Sequence, residues 1–204
     1  MDFAAFARLS PTTLADVLTR DRVMDPGIRP QWGPIPRLVG PAYPVRCAPG
    51  DNLMLHAAIH QAPAGTVIVV QAGDQDFAVA GGNVCAWAQQ RGIAGFIVDG
   101  LIRDVGEVRE LRFPVFSRGV IPIPGDKQGP GALGETVTCG GVSVAPRDIV
   151  VADEEGIVVV PAAAAARVLV AAEVKAAKDA AMTLEGWGRD HRERIEAILK
   201  RLSQ

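Results

Sequence analysis

The sequence predicts an α/β domain with a mixed sheet. Strand-like apolar runs alternate with helix-like segments through the middle of the chain, two apolar runs within 148–161 read as a hairpin, and the stretch from Ala162 is polar and alanine-rich. βα units place strands parallel and hairpins place them antiparallel, so a sheet built from both is not purely doubly wound. The 204 residues suffice for one substantial core, and no linker-like tract divides them. The expected organisation is a single domain over 1–204, with a core at about 10–161 and a C-terminal helical extension over 162–204.

The first element is a helix in "SPTTLADVLTR", with Ser10 as N-cap, Pro11 at the first helical position, and Leu14, Val17 and Leu18 on one face. "MDPGIRPQWGPIPRLVG" is too dense in Pro and Gly for regular structure and reads as an extended loop that wraps a neighbouring surface. "AYPVRCAPG" follows as a strand, "DNLMLHAAIHQA" as a helix capped by Asp51, and "PAGTVIVVQAG" as a turn feeding a buried strand. "GGNVCAWAQQRG" is a short helix opened after two glycines and stopped by Gly92, and "AGFIVDG" is the next strand. "RDVGEVREL" is a further helix, leading to "FPVFSRG". From Thr136 the pattern returns to β in "TVTCGGVSV" and "DIVVADEEGIVVVP", the latter with an acidic turn. The segment from Ala162 is a long helix, interrupted around "EGWGRD".

A formal net charge of -2 with 22% charged residues supplies no cationic field, so nucleic acid and membrane surfaces are not expected partners. A small molecule or another protein is. The N-terminus has no basic region followed by an apolar run, and no apolar stretch approaches the roughly 18 residues of a membrane span. Cytoplasmic residence is the expectation. Cys47, Cys85 and Cys139 match neither a zinc pair nor a disulfide framework and read as small buried apolar residues.

Two stretches carry chemistry. In "AGGNV", Gly81 and Gly82 precede a helix start, where backbone N–H groups lack partners, the dipole end is positive and no side chain keeps an anion away, so the stretch offers a seat for a carboxylate. The same glycines also suit a tight loop. In "DGLIRD", Arg103 can grip a carboxylate in a bidentate way, while Asp99 and Asp104 supply hard oxygen ligands for Mg²⁺ or Mn²⁺. A structural account stands beside it: Asp104 and Glu107 form a capping box for "VGEVREL", with Arg103 paired to Asp104. One carboxylate could serve both roles. His56 and His60, four apart on a helix, lack the Glu of a zinc-protease pattern and fit packing better. Trp87 reads as packing, and His191 and the C-terminal charges as a solvated helix face.

"GIAGFIVDGLIRDVGEVRELRFPVFSRG" and "VADEEGIVVVP", with the glycine helix start upstream, resemble the RraA-like family, from about "SPTTLADVL" through "GIVVVP". That family includes metal-dependent 4-hydroxy-4-methyl-2-oxoglutarate and 4-carboxy-4-hydroxy-2-oxoadipate aldolases. The resemblance implies an α/β sandwich of the swivelling-domain type, assembled as a homotrimer or homohexamer with sites at subunit boundaries. It implies that Arg103 binds the keto-acid carboxylate, that Asp104 holds the divalent metal, and that the amides of Asn83 and Val84 complete the pyruvate seat. The Pro-rich loop and the C-terminal helix are the segments expected to reach a neighbour.

One departure stands out. Aldolases of this family commonly carry an acidic residue at the position matching Gly82, so Asp99, Asp74 or Asp76 would have to compensate. The implied chemistry is carbon–carbon cleavage through a pyruvate enolate, which oxaloacetate decarboxylation shares. It needs no Schiff-base lysine, and no lysine occurs between Met1 and Asp126. The competing reading is a non-catalytic regulator, because RraA itself inhibits an RNA-degrading endonuclease by protein contact. Methyl transfer from S-adenosylmethionine finds no glycine-rich nucleotide loop with a later ribose-binding acid.

Overall fold

The computed structural model describes residues 2–203. It opens with two short helices, α1 (Phe3–Ala7) and α2 (Pro11–Ala15), followed by a 3₁₀ turn over Arg20–Arg22. Ser10 caps α2, its hydroxyl accepting the Thr13 N–H at 3.1 Å, but the helix ends well before the predicted Arg20. The Pro-rich segment contains the two-residue strand β1 (Arg29–Pro30), and the next strand, β2 (Leu38–Arg46), starts earlier than its sequence pattern suggested. The βα region then runs α3 (Leu53–Gln61), β3 (Val67–Gln71), β4 (Ala78–Ala80), α4 (Gly82–Gln90), β5 (Gly95–Ile102), α5 (Val105–Leu111) and β6 (Val115–Val120). Short strands β7 (Ala132–Leu133), β8 (Val137–Cys139) and β9 (Val142–Val144) lead to the hairpin β10 (Ile149–Asp153) and β11 (Gly156–Val160). Helices α6 (Ala165–Ala181) and α7 (Leu184–Leu202) end the described chain.

The sheet order is β1-β6-β5-β3-β2-β10-β11, with β4 beside β5 and β7 beside β2. β2, β3, β5 and β6 are mutually parallel where they pair, whereas β1, β10 and β11 join antiparallel, which is the predicted mixture. Strand periodicity sorts β5 between two cores: Phe96, Val98 and Ile102 pack toward Cys85, Ala88 and Val108 of the helical layer. Ile97 packs on the other face with Val67, Val69, Phe116 and the β8–β9 hairpin. Each Val, Ile or Phe among them, removed from water, contributes about 1.5–3 kcal/mol. A third core joins β10 and β11 to α1, α2 and α6. The three cysteines are buried thiols; burial pushes Cys47 up to about 11, Cys85 up to about 12, and Cys139 upward as well.

The predicted C-terminal interruption lies at Met182 and Thr183, not in "EGWGRD", because the Thr183 hydroxyl accepts the Gly186 N–H at 3.1 Å and starts α7 there. Both glycines of that stretch are therefore helical. α7 buries none of its side chains within the described residues. No described helix is long and apolar enough to cross a membrane.

Asp51 is the joint between α3 and the 121–131 loop. The helix begins one residue later than predicted, with Asn52 in the cap position, yet the Asp51 Oδ1 still accepts the Leu53 N–H at 2.7 Å. Its Oδ2 accepts the N–H groups of Gln128 at 2.6 Å and Gly129 at 2.7 Å. Burial opposes the charge, but the amides of Gly129, Gln128 and Leu53 outweigh it and hold the carboxyl below its ordinary 3.8. Stability from this joint is present above that value and is lost as pH falls through the lower folded one. Asp51→Ala should cost about 2–3 kcal/mol in urea unfolding at neutral pH, a deficit that shrinks in acid.

Candidate active site

β5 does not stop at Gly100. Leu101 and Ile102 continue its pairing with β4 and β6, so Asp99 lies inside the strand while Arg103 and Asp104 follow its carboxyl end. Parity puts Asp99 on the face of Ile97, where it pairs with Arg118 and accepts the Gly140 N–H at 2.7 Å. Asp99, expected beside Arg103 and Asp104 as a catalytic acid compensating at Gly82 or an oxygen ligand, lies elsewhere: its carboxylate ties the turn of the β8–β9 hairpin to β6 and lines a different depression, with Asp74 and Thr138. Asp74 accepts the Gly50 N–H there, and its Oδ1 accepts the Asp76 N–H at 2.9 Å. Neither lines the hollow around Arg103 and Asp104.

At the strand's end the chain turns sharply. The Arg103 N–H donates to the Ala80 carbonyl at 2.9 Å, and Asp104 adopts a left-handed conformation with φ 56° and ψ 35°. Such backbone strain costs about 1–3 kcal/mol and needs surroundings that enforce it. They turn the Asp104 carboxylate toward α4, where Oδ2 accepts the Gly82 N–H at 3.1 Å and lies 3.4 Å from Arg103 Nε. The expected capping box does not form, since the carboxylate serves the neighbouring helix and makes no cap bond to α5.

Side chains crowd both glycines. A Cβ on Gly81 would run into Asp104 Oδ2 and sit 3.0 Å from Arg103 Cγ, and a Cβ on Gly82 would run into the Glu107 carboxylate. Glu107 thus fills the space that a side chain at 82 would take. Gly82, expected as part of the carboxylate seat, commits its amide to Asp104 and is not among the residues lining the hollow beside it. The amides of Asn83 and Val84 find no acceptor among the described residues and remain the open donors of the α4 start.

Gly81, Asn83, Val84, Arg103 and Asp104 line one hollow of about 80 Å³. The terminal nitrogens of Arg103 make no hydrogen bond among the described residues, so its fork is available to an anion. The polar residues Asn52, His56 and Lys127 line the hollow as well; sequence reasoning missed Asn52 and Lys127 and read His56 as packing. Asn52 and His56 are one helical turn apart, the spacing that puts side chains on one face of α3, and Lys127 lies one residue past the lysine-free span. His56 and His60 do not act as a pair: the Trp87 Nε1–H donates to His60 Nδ1 at 3.3 Å.

Desolvation lowers the His56 pKa from its ordinary 6.5, and Lys127, His60 and Arg103 lower it further against the pull of Asp51. The imidazole is therefore held neutral in a hollow whose fixed charges are two cations and one carboxylate. No group of three or more His, Cys, Asp or Glu converges as a metal cage among the described residues. Asp104 nevertheless fits a hard divalent ion. Its Oδ1 accepts no hydrogen bond among the described residues and its side chain is 36% exposed. Mg²⁺ keeps several waters and takes one or two protein carboxylates plus substrate oxygens.

Two outcomes follow. Gly81→Ala should displace Asp104 and Arg103 and weaken Mg²⁺ and keto-acid binding in calorimetric titration. Gly106→Ala, where a Cβ meets nothing within 4 Å, should not. In an NMR titration the His56 ring should change state below pH 6.5, and Lys127→Met should raise that midpoint. Because the folded value is the lower one, His56 supports stability above pH 6.5, and this support is lost as pH falls through its folded value.

Comparison with known proteins follows the same span. The RraA-like family profile, described as Aldolase/RraA, matches residues 11–159. A Halalkalibacterium halodurans protein named as a candidate 4-hydroxy-4-methyl-2-oxoglutarate aldolase is 39% identical over 183 residues, covering 89% of this chain and 87% of that one. A Burkholderia multivorans protein with the same designation is 37% identical over 139 residues, covering 68% and 84%. Among solved structures, RraAS2 of Streptomyces coelicolor, described as an unusual member of the RNase ES inhibitor RraA family, superposes with a TM-score of 0.73 at 29% identity, covering 94% and 96%.

Proposed function

The chain belongs to the RraA-like family, and from that premise we propose a divalent-metal-dependent lyase that cleaves a carbon–carbon bond of a 4-hydroxy-2-keto diacid. The substrate is of the 4-hydroxy-4-methyl-2-oxoglutarate or 4-carboxy-4-hydroxy-2-oxoadipate type. Oxaloacetate decarboxylation is a second outcome of the same enolate chemistry. The observation that carries this reading is that the open Arg103 fork, the unpartnered Asn83 and Val84 amides and the Asp104 carboxylate share one hollow.

In the proposed reaction Arg103 grips the keto-acid carboxylate, while the Asn83 and Val84 amides, backed by the positive end of α4, fix its orientation. Asp104 would hold Mg²⁺ or Mn²⁺, whose Lewis acidity stabilises the pyruvate enolate left when the bond breaks. The Gly82 amide keeps the Asp104 side chain in position. The working assembly is a homotrimer or homohexamer. Lys127 lines the hollow, so a Schiff base must be tested against the metal route.

Arg103→Ala should lower kcat/KM for pyruvate release from a 4-hydroxy-2-keto diacid by about 10²–10³-fold in millimolar Mg²⁺. Borohydride reduction with pyruvate should leave no adduct on Lys127 in the mass spectrum. Full activity in Arg103→Ala would remove the site, and a trapped adduct would replace metal chemistry with an imine. The RraAS2 likeness favours a second reading, a regulator that inhibits an RNA-degrading endonuclease by protein contact. A regulator inhibits the nuclease in stoichiometric mixtures and does so equally well as Arg103→Ala.

A further inference from the structure

Asn52 opens α3 in the wall of the hollow and is 3% exposed. Its backbone is fixed, with the N–H donating to the Asp126 carbonyl at 2.8 Å and the carbonyl accepting the His56 N–H at 3.1 Å. Its side-chain Nδ2 donates to the Gly125 carbonyl at 3.0 Å. That bond sets the amide's orientation, because a flipped amide would face oxygen with oxygen. The remaining atom, Oδ1, has no hydrogen-bond partner, the one buried side-chain polar atom so left among the described residues. A buried acceptor without a donor costs about 1–3 kcal/mol, and functional sites are where such a cost is retained.

The hollow therefore lacks a donor, and what surrounds Asn52 limits the kind. Lys127 and His56 line the same hollow, with Asp104 the only carboxylate among its lining residues. A cationic donor is disfavoured beside Lys127 and Arg103. A neutral hydroxyl carried by an anion suits both needs, since the hydroxyl satisfies Oδ1 and the anionic group meets the Lys127 ammonium. Both cations also act on His56 in the same wall, lowering its pKa.

Resting on the keto-acid reading above, we infer that Asn52 and Lys127 form the specificity subsite for the far end of the substrate. Asn52 Oδ1 accepts from the hydroxyl at C4, and Lys127 binds the second carboxylate. Asn52 is a positioning residue for the bond that breaks: the C4 hydroxyl it orients gives its proton to water as the C3–C4 electron pair passes to the enolate and C4 becomes the carbonyl of the departing fragment, and the enolate carbon then takes a proton from water to give pyruvate. Substrates with a distal carboxylate but no hydroxyl use half of the subsite.

Two ratios test this in the full-length protein. In the presence of Mg²⁺, the dissociation constants of pyruvate and 2-oxoglutarate, read from the His56 ring signals, differ only through the distal carboxylate arm. The wild type should favour 2-oxoglutarate by about tenfold, and Lys127→Met should bring the ratio near one. The second ratio is kcat/KM for 4-hydroxy-4-methyl-2-oxoglutarate over that for oxaloacetate, which lacks the hydroxyl. Asn52→Ala should lower it by about tenfold. Equal losses on both substrates would reduce Asn52 to a structural role, and an unchanged binding ratio in Lys127→Met would remove the carboxylate site. Lys127 is exposed, so its variant keeps the test decisive if Asn52→Ala does not fold. A wild type that binds neither acid and releases no pyruvate would instead sink the keto-acid reading, and this subsite with it.

Discussion

The hydrogen bond from the Gly82 amide to Asp104 joins the start of one helix to the end of the neighbouring strand, and the candidate site exists because of it. It holds a carboxylate in a left-handed turn that the backbone would not choose on its own. It takes one of the orphan amides of α4, so two others stay open beside the Arg103 guanidinium. The junction is supported from beneath by the Arg103 N–H on Ala80, which pairs the last residues of β4 and β5. With no Cβ at 81, the two chains come close enough for all of this.

Much of the architecture was legible because hydrophobic period and turn chemistry are local signals. The runs around Val67–Val70 and Phe96–Val98 are buried strands, as their β-branched and aromatic content required, and the Ser10 cap and the acidic hairpin turn stand where they were read. What escaped depended on tertiary contact. Two-residue strands such as β1 and β7 have no pattern of their own and exist because a neighbour offers a ladder. Asp99 misled because strand termini are blurred in sequence. Two more residues of pairing place it inside β5, on the face of Ile97, rather than at the rim of the sheet.

The site divides in the same way. Gly81, Asn83, Val84, Arg103 and Asp104 were readable because helix starts and strand ends are where orphan amides and charges emerge together. Asn52 and Lys127 were not, since nothing in "DNLML" or "GDKQG" says that the 121–131 loop folds back over α3. That closure is the work of Asp51, whose three amide contacts bring Lys127 to the wall that His56 shares. A residue outside the hollow thus determines its electrostatic character, and a neutral imidazole among cations is the result.

The three cysteines carry a consequence of another kind. Cys47 and Cys85 sit in the core beneath the helices, and Cys139 in the core beneath the β8–β9 hairpin, all shielded from water and kept protonated. Only the thiolate reacts with an alkylating reagent, so each sulfur stays silent until the layer above it lifts. The folded molecule therefore contains its own clocks for local opening, two timing the helical face and one timing the hairpin face.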